Sequence, residues 1–330
     1  MSFTESAVDE LIIETGSYNY QSTIPKSCVH RAAIGEVFLT DIRKINDNKY
    51  ITAGYLPKSH IYFNDLNSNV TGKKVYDAIL LLEICRQSSI YVTHNFFDVP
   101  YSAKFVFDDA DFTLLESEIE YKESCSNVII EVNVIERKHR KMTLTGLIFQ
   151  MDIYVDGNLC ARKEMNISWM EVLKWNRLRS NRPQECYNTM IHQRASALSV
   201  GRQLPLNVVI SNIQLNKDTG TTTLVIDQNH PSIFDHHLDH VPGMLLIEAF
   251  RQTAIVTMQH YFDTLNDHLV ISRYRINFQR FCEFNLPVYC HIDVGNILNT
   301  KNEEHIIIPM IISQGDNVIS QAELTVTNKK

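Results

Sequence analysis

The sequence predicts two domains of one α+β plan, each a long central helix wrapped by a curved antiparallel sheet. Three observations predict it. A nine-residue motif recurs half a chain apart, each copy sits in an apolar run long enough for a helix, and β-forming segments bounded by turn residues follow each copy.

The repeat comes first because a duplication sets the architecture. Residues 79–87 read ILLLEICRQ and residues 244–252 read MLLIEAFRQ, so Glu83, Arg86 and Gln87 recur as Glu248, Arg251 and Gln252, an offset of 165 in a chain of 330. The flanks keep the same order. Asp109-Ala-Asp-Phe112 lies opposite Arg275-Ile-Asn-Phe278, and the hairpin candidate Val155-Asp-Gly-Asn158 lies opposite Gln314-Gly-Asp-Asn317. The repeating unit is therefore a domain. Residues 170–205 read as a basic connector with a helical start, and a boundary near Arg182-Pro183 divides an N-terminal domain, 1–180, from a C-terminal one, 181–330.

Both motif segments read as helix, running to about His94 and about Leu265, because apolar residues are dense and Gly and Pro are absent after Gly243. Pro242 suits a helix start, where a missing N–H costs nothing. Strands are predicted downstream, at 126–137, 142–155 and 158–169 in the first half and at 269–281, 287–297, 304–313 and 318–327 in the second. Asp156-Gly157 is a strong hairpin signal and Gly315-Asp316 a weaker one. A long apolar helix followed by three or four antiparallel strands is the hot-dog plan.

Composition excludes several function classes. A net charge of −7 with scattered Lys and Arg lacks the basic footprint of a nucleic-acid binder. Seven cysteines, with no C-x-x-C pair, argue against a disulfide framework and a zinc knuckle and point to free thiols in a reducing cytoplasm. The acidic start, MSFTESAVDEL, does not have the order of a signal peptide, and no run of 18 apolar residues predicts a membrane span.

A carboxylate amid LLLE or LLIE is costly unless it is paired, protonated or facing a polar cavity. Glu and Arg three apart share a helix face. One reading makes them exposed ion pairs worth tenths of a kcal/mol. The favoured reading places each Glu at the mouth of an acyl tunnel, where it orients or deprotonates an attacking hydroxyl, with Arg offering a planar fork to a phosphate or an oxyanion. Ahead of the second helix, residues 230–243 hold four histidines and two aspartates. Their spacing fits no metal-ligand pattern, so the loop is expected to cap the helix and line a site, with His240 as a substrate-binding candidate.

The segment FDHHLDHVPGMLLIEAFRQ (234–252) resembles the signature of the A-factor biosynthesis (AfsA-type) family of tandem hot-dog proteins. VHRAAIGEVFLTDIR (29–43) and VYDAILLLEICRQ (75–87) resemble its N-terminal signature, and LSVGRQLPLNVVIS (198–211) its mid-chain one. Four motifs fall in the family's order across essentially the whole chain. The resemblance implies transfer of a β-ketoacyl group from an acyl carrier protein thioester to the hydroxyl of dihydroxyacetone phosphate, an early step toward γ-butyrolactone signals such as A-factor. It maps the family's functional positions onto Glu83, Glu248 and Arg251 as catalytic candidates; Arg86 joins them as the repeat equivalent of Arg251, Arg202 in the VGR motif as a phosphate candidate for which a structural salt bridge is an equal alternative, and His240 and Gln252 complete the substrate-binding candidates. It implies no cofactor, metal, nucleic acid or membrane, and the duplication implies a monomer. The first-half loop (59–74) lacks the D-H-x-P-G pattern of the second, which makes the second domain the better candidate for a complete site.

Two other readings stand beside this one. A hot-dog thioesterase or hydroxyacyl dehydratase keeps the fold and changes the reaction, although position 234, where a dehydratase would carry its His, is Phe. A non-catalytic acyl-binding protein of a biosynthetic cluster would use the same pockets without turnover.

Overall fold

The first unit begins with two strands that the sequence reading did not predict, β1 (Leu39–Lys44) and β2 (Lys49–Leu56), ahead of the long helix α1 (Ala78–Phe96). This is a computed structural model, which describes residues 18–67, 72–116, 119–183, 193–265, 269–298 and 304–328. The N-terminal MSFTESAVDEL and Cys186 lie outside the described residues. After α1 come β3 (Lys104–Leu114), β4 (Ser126–Arg140), β5 (Thr143–Val155) and β6 (Asn158–Met170), then a short helix α2 (Val172–Leu178). The second unit repeats the order with β7 (Ile210–Leu215), β8 (Thr219–Leu224), α3 (Gly243–Phe262), β9 (Leu269–Phe278), β10 (Tyr289–Asp293), a helical turn α4 (Val294–Leu298), β11 (His305–Gln314) and β12 (Asn317–Asn328).

Chain contacts divide the molecule into two units. One comprises the described parts of Met1–Asn64, Val75–Phe107 and Phe112–Lys174; the other comprises those of Asp65–Lys74, Asp108–Asp111 and Trp175–Lys330. Strand order in the first is β1-β2-β4-β5-β6-β3, and in the second β7-β8-β10-β11-β12-β9. These are the same order under the repeat. The strand pairs β1–β2, β2–β4, β4–β5 and β5–β6 are antiparallel, as are their counterparts in the second unit. Each unit is thus a hot-dog domain.

The helices are densely apolar in their first turns because those turns are enclosed. Leu80, Leu81, Ile84, Leu246, Ile247 and Phe250 are all buried. Helix α1 packs on β1, β2, β4 and β5, and α3 on β7 through β12. Asp77 caps α1 by accepting from the Ile79 amide, while Pro242 occupies the cap position of α3. The second helix ends three residues short of the predicted Leu265 because Asp263 turns left-handed, at φ 50°. Among the described residues, no helix is long and apolar enough to cross a membrane.

The β5–β6 hairpin turns on Asp156 and Gly157, both at positive φ, as the Asp-Gly pair predicts. In the β11–β12 hairpin only the first central residue, Gly315, does so. Residues 287–297 are not one strand: β10 stops at Asp293 and the chain turns helical through Gly295, a residue that weakens a strand interior.

Candidate functional site

Glu83 and Glu248 have no solvent exposure at all, which excludes the reading of exposed surface pairs. Each carboxylate instead lies at the centre of a clamp. In the second unit Arg202 donates from Nε to Glu248 Oε1 at 3.0 Å and from Nη2 to Oε2 at 2.9 Å. Arg251, one helical turn on, reaches Oε2 at 2.6 Å, and Gln252 Nε2 donates to Oε1 at 2.5 Å. In the first unit Arg31 reaches Glu83 Oε1 at 2.7 Å, Arg86 donates to both carboxylate oxygens at 2.8 and 2.9 Å, and Gln87 Nε2 donates to Oε1 at 2.8 Å.

Two of these clamp members come from the helix turn, and i, i+3, i+4 spacing explains why they meet. The third comes from the segment before the first strand of each unit: Arg31 precedes β1, and Arg202 precedes β7. The glutamine locks that segment down. Gln252 Nε2 also donates to Asn207 O, and its Oε1 accepts from Val209 N; Gln87 does the same with Glu36 O and Phe38 N. Next to the lock sits a histidine. His230 Nδ1 accepts from the amides of Ser232 and Ile233, so its Nε2–H donates to Asn207 Oδ1 at 2.9 Å, and Asn207 passes the chain on to Asp65 Oδ2 at 2.6 Å. In the first unit His60 accepts from Tyr62 and Phe63 and donates to Glu36 Oε1 at 3.2 Å. Glu36 Oε2 is buried with no hydrogen-bond partner among the described residues.

Burial alone would push both glutamates up. Arg31 and Arg86 outweigh it at Glu83, and Arg202 and Arg251 outweigh it at Glu248, so each is held near 2. Both are carboxylates at neutral pH. Each clamp then carries two guanidinium charges against one carboxylate and is net positive. His230 is held down to about 4 by burial, with Arg202 adding to the effect, so it is neutral at pH 7.

These contacts bear on the sequence reading at three points. The acids do not stand open at a tunnel mouth but are saturated by donors. Arg202 is a full member of the clamp and completely buried, which favours the salt-bridge alternative for it. His240 joins a different cluster: its Nδ1 pairs with Asp239 at 2.6 Å and its ring packs on Phe281 and Trp175. Asp239 also accepts from Trp175 Nε1 and Arg179 Nε, and it pairs with Arg182. Asp239, Arg179 and Arg182 line a cleft of about 740 Å³ with Asn176, Ser180, Pro183 and His237, while His240 and Trp175 are not in its lining. Among the described residues no three His, Cys, Asp or Glu side chains converge as a metal site requires.

Sequence reasoning missed Arg31, Asn207, Glu36, His60 and His230 as network members. The signal was a second register of the repeat. Arg31-x4-Glu36 matches Arg202-x4-Asn207 at an offset of 171, which the 165 of the helix motif conceals.

Comparison with known proteins gives the chain a family. A model described as the A-factor biosynthesis hotdog domain matches residues 16–171 and 187–328. The chain is similar to 2-oxo-3-(phosphooxy)propyl 3-oxoalkanoate synthases of Streptomyces virginiae (28% identical, over 81% of this chain and 86% of the relative), Streptomyces coelicolor (27%, over 82% of each) and Streptomyces griseus (23%, over 87% and 90%). Among solved structures it is similar to a protein assigned as an oleoyl thioesterase from Lactobacillus plantarum, with a TM-score of 0.53 at 10% identity over 87% of this chain and 98% of that one. It is also similar to the dehydratase domain from the CurF module of curacin polyketide synthase, at 0.50 and 14% over 88% and 97%. Those two likenesses bear on fold alone. The family model covers both units, each with its own clamp, and the chain belongs to the A-factor biosynthesis hotdog family.

Proposed function

We propose that this protein is an acyltransferase that moves a 3-oxoacyl group from a thioester, carried by an acyl carrier protein, to the hydroxyl of dihydroxyacetone phosphate, a step toward γ-butyrolactone-type signals. The observation that carries this reading is the likeness to 2-oxo-3-(phosphooxy)propyl 3-oxoalkanoate synthases over more than four-fifths of both chains. The clamps support it physically. The phosphate and the oxyanion of the tetrahedral intermediate are both anionic, and each clamp offers an excess guanidinium in a dry site, where such charge is worth most.

In this reading Arg251 is the catalytic cation of the second unit and Arg86 its counterpart in the first. Their side chains keep 6% and 17% exposure, whereas Arg202 keeps none. Glu248 and Glu83 orient those guanidinia. A group held near 2 is a poor base for an alcohol, since efficient proton transfer wants a base matched to the working pH. Gln252 and Gln87 fix the segment that delivers the third clamp member. His240 and the cleft beside it are a further place for substrate, next to the start of α3. The duplication supplies both units in one monomer, and free thiols at Cys28, Cys85, Cys125, Cys160, Cys282 and Cys290 fit the reducing cytoplasm.

The test is to incubate the purified protein with a 3-oxoacyl carrier-protein thioester and dihydroxyacetone phosphate and to look for the ester by mass spectrometry. Ester that depends on both substrates is the expected result. Free acid without dependence on the acceptor would show a thioesterase instead, and no product at any chain length would remove the transferase reading.

A further inference from the structure

The inward face of β6 carries Ala161, Lys163, Met165 and Ile167, all buried. A lysine in that row is anomalous: Lys163 is 5% exposed and pairs across the sheet with Met151. The second unit shows what the fold itself requires there. Met310 pairs with Ala322 on β12 in the same register, and the helix residue Phe250 stands where the first unit has Cys85. Phe250 and Ala322 in one unit thus correspond to Cys85 and Lys163 in the other, a large side chain moved from helix to strand with a charge added.

A buried ammonium is costly unless acceptors meet it, and the neighbours of Lys163 do not. Among the described residues its ammonium makes no hydrogen bond and no ion pair. The charges in electrostatic range are Cys85, Glu83 and Arg86. Burial pushes the Cys85 thiol up to about 11, so it is neutral, and Glu83 is already engaged by Arg31, Arg86 and Gln87. Burial draws the ammonium itself below the usual lysine range.

We infer that Lys163 is the polar end of an acyl subsite in the first unit, where its ammonium donates to the C3 carbonyl oxygen of a 3-oxoacyl chain and selects it over a saturated chain. The inference deepens the transferase reading and rests on it for the chemistry of the donor. Ala161, Met165 and Met151 are the immediate strand neighbours, which suits an acyl chain; a dianionic phosphate would give up far more hydration among apolar groups than a ketone oxygen, whose one strong hydrogen bond the ammonium replaces. A site built around a buried donor rejects the analogue that leaves that donor unpaired.

The test uses the full chain and pantetheine analogues in which a methylene replaces the thioester sulfur, one series 3-oxoacyl and one saturated, at matched chain lengths. Calorimetry on the wild type should show the 3-oxo analogue bound at least about tenfold more tightly. Lys163→Met should bind both within about twofold, and without ligand it should melt a few degrees higher, because an uncompensated charge has been removed. Lys163→Gln, which keeps a donor, should restore part of the preference. A Lys163→Met variant that keeps the preference, or that melts lower and loses both analogues alike, overturns the inference and makes the lysine structural. A wild type that forms ester but shows no preference overturns the subsite and leaves the transferase standing. A wild type that forms no ester, yet has a preference that Lys163→Met abolishes, leaves the subsite and removes the transferase; binding of neither analogue together with no ester overturns both.

Discussion

Replacing Glu248 by Gln removes one charge from the second clamp at almost constant shape. Arg202 is fully buried and Arg251 nearly so, and in the variant both face an amide with one acceptor oxygen where there were two anionic ones. The new amide nitrogen adds donors to a site already crowded with them. Arg202, Arg251 and Gln252 then compete for the one remaining amide oxygen, while Gln252 Nε2 keeps its bond to Asn207 O. Removing one partner of a buried ion pair costs about 3–5 kcal/mol, and a unit of this size loses about 2–4 °C of Tm per kcal/mol. The expected drop is therefore roughly 6–20 °C, confined to the second unit. Differential scanning calorimetry measures it, and hydrogen exchange on peptides from 243–262 locates it. The double variant Arg202→Gln with Glu248→Gln removes the cation that has no access to water, leaving Arg251 to be solvated at its slightly exposed edge; it should recover about 2 kcal/mol of coupling energy. A Glu248→Gln protein melting within about 2 °C of wild type, or a double variant as unstable as the sum of the singles, would refute the clamp.

Acid should destabilise the protein in two stages. His30, held down by burial and by His94 at 2.9 Å, and His230 sit near 4 in the fold against an ordinary 6.5, so the unfolded chain binds protons first and stability falls between about 6.5 and 4; Glu83 and Glu248 sit near 2 against 4.5, so a further loss, of the order of 3 kcal/mol each, follows between about 4.5 and 2. Chemical denaturation across that pH range checks it, and a flat profile down to pH 4 would contradict the histidine part. Gln87→Leu should cost about 1–3 kcal/mol by orphaning the Phe38 amide and Glu36 carbonyl, which urea titration can measure. Arg251→Lys should keep the fold yet lower ester formation about tenfold or more, since lysine cannot reproduce a planar fork. Asp239→Asn should shift the emission of Trp175, whose indole donates to that carboxylate, and should loosen Arg179.

Much of the fold was legible in the sequence because the helix motif and the hairpins carry strong local signals. The apolar neighbours in LLLE and LLIE favoured enclosed helices, and β4 through β6 are long and β-branched, with Asp-Gly closing the β5–β6 hairpin. Five strands escaped notice, β1, β2, β3, β7 and β8, and three of them have a weak apolar pattern. β8 is TGTTTL, β7 is ISNIQL, and β3 has the acidic run Asp108-Asp-Ala-Asp111 at its centre. Half of the candidate site was legible for the same reason. Glu, Arg and Gln at i, i+3 and i+4 are local, but Arg31 and Arg202 arrive from a segment whose repeat offset differs. His60 lies 23 residues before Glu83, while His230 lies 18 before Glu248. The longer first-half loop breaks the register, so a single offset finds the helix pair and misses its partner.

The clamp also explains why chemistry and folding are hard to separate in this architecture. The glutamate that holds the guanidinia is held by a glutamine that pins the segment leading into the first strand of its own unit, at Phe38 in one case and Val209 in the other. An apolar trio of similar volume could fill the same space with equal or greater stability, so the buried charge is not required by packing. Its price is spent on a guanidinium whose direction is fixed by a carboxylate that cannot easily be protonated. The two units differ beyond that shared frame: Glu36 stands for Asn207 and Lys163 for Ala322, each adding an ionisable group to the first unit where the second has a neutral one. On the proposed reading the shared clamps serve anion stabilisation in either unit, and of the two added groups only Lys163 lies on the sheet, where the proposed acyl subsite is, Glu36 lying in the turn before β1.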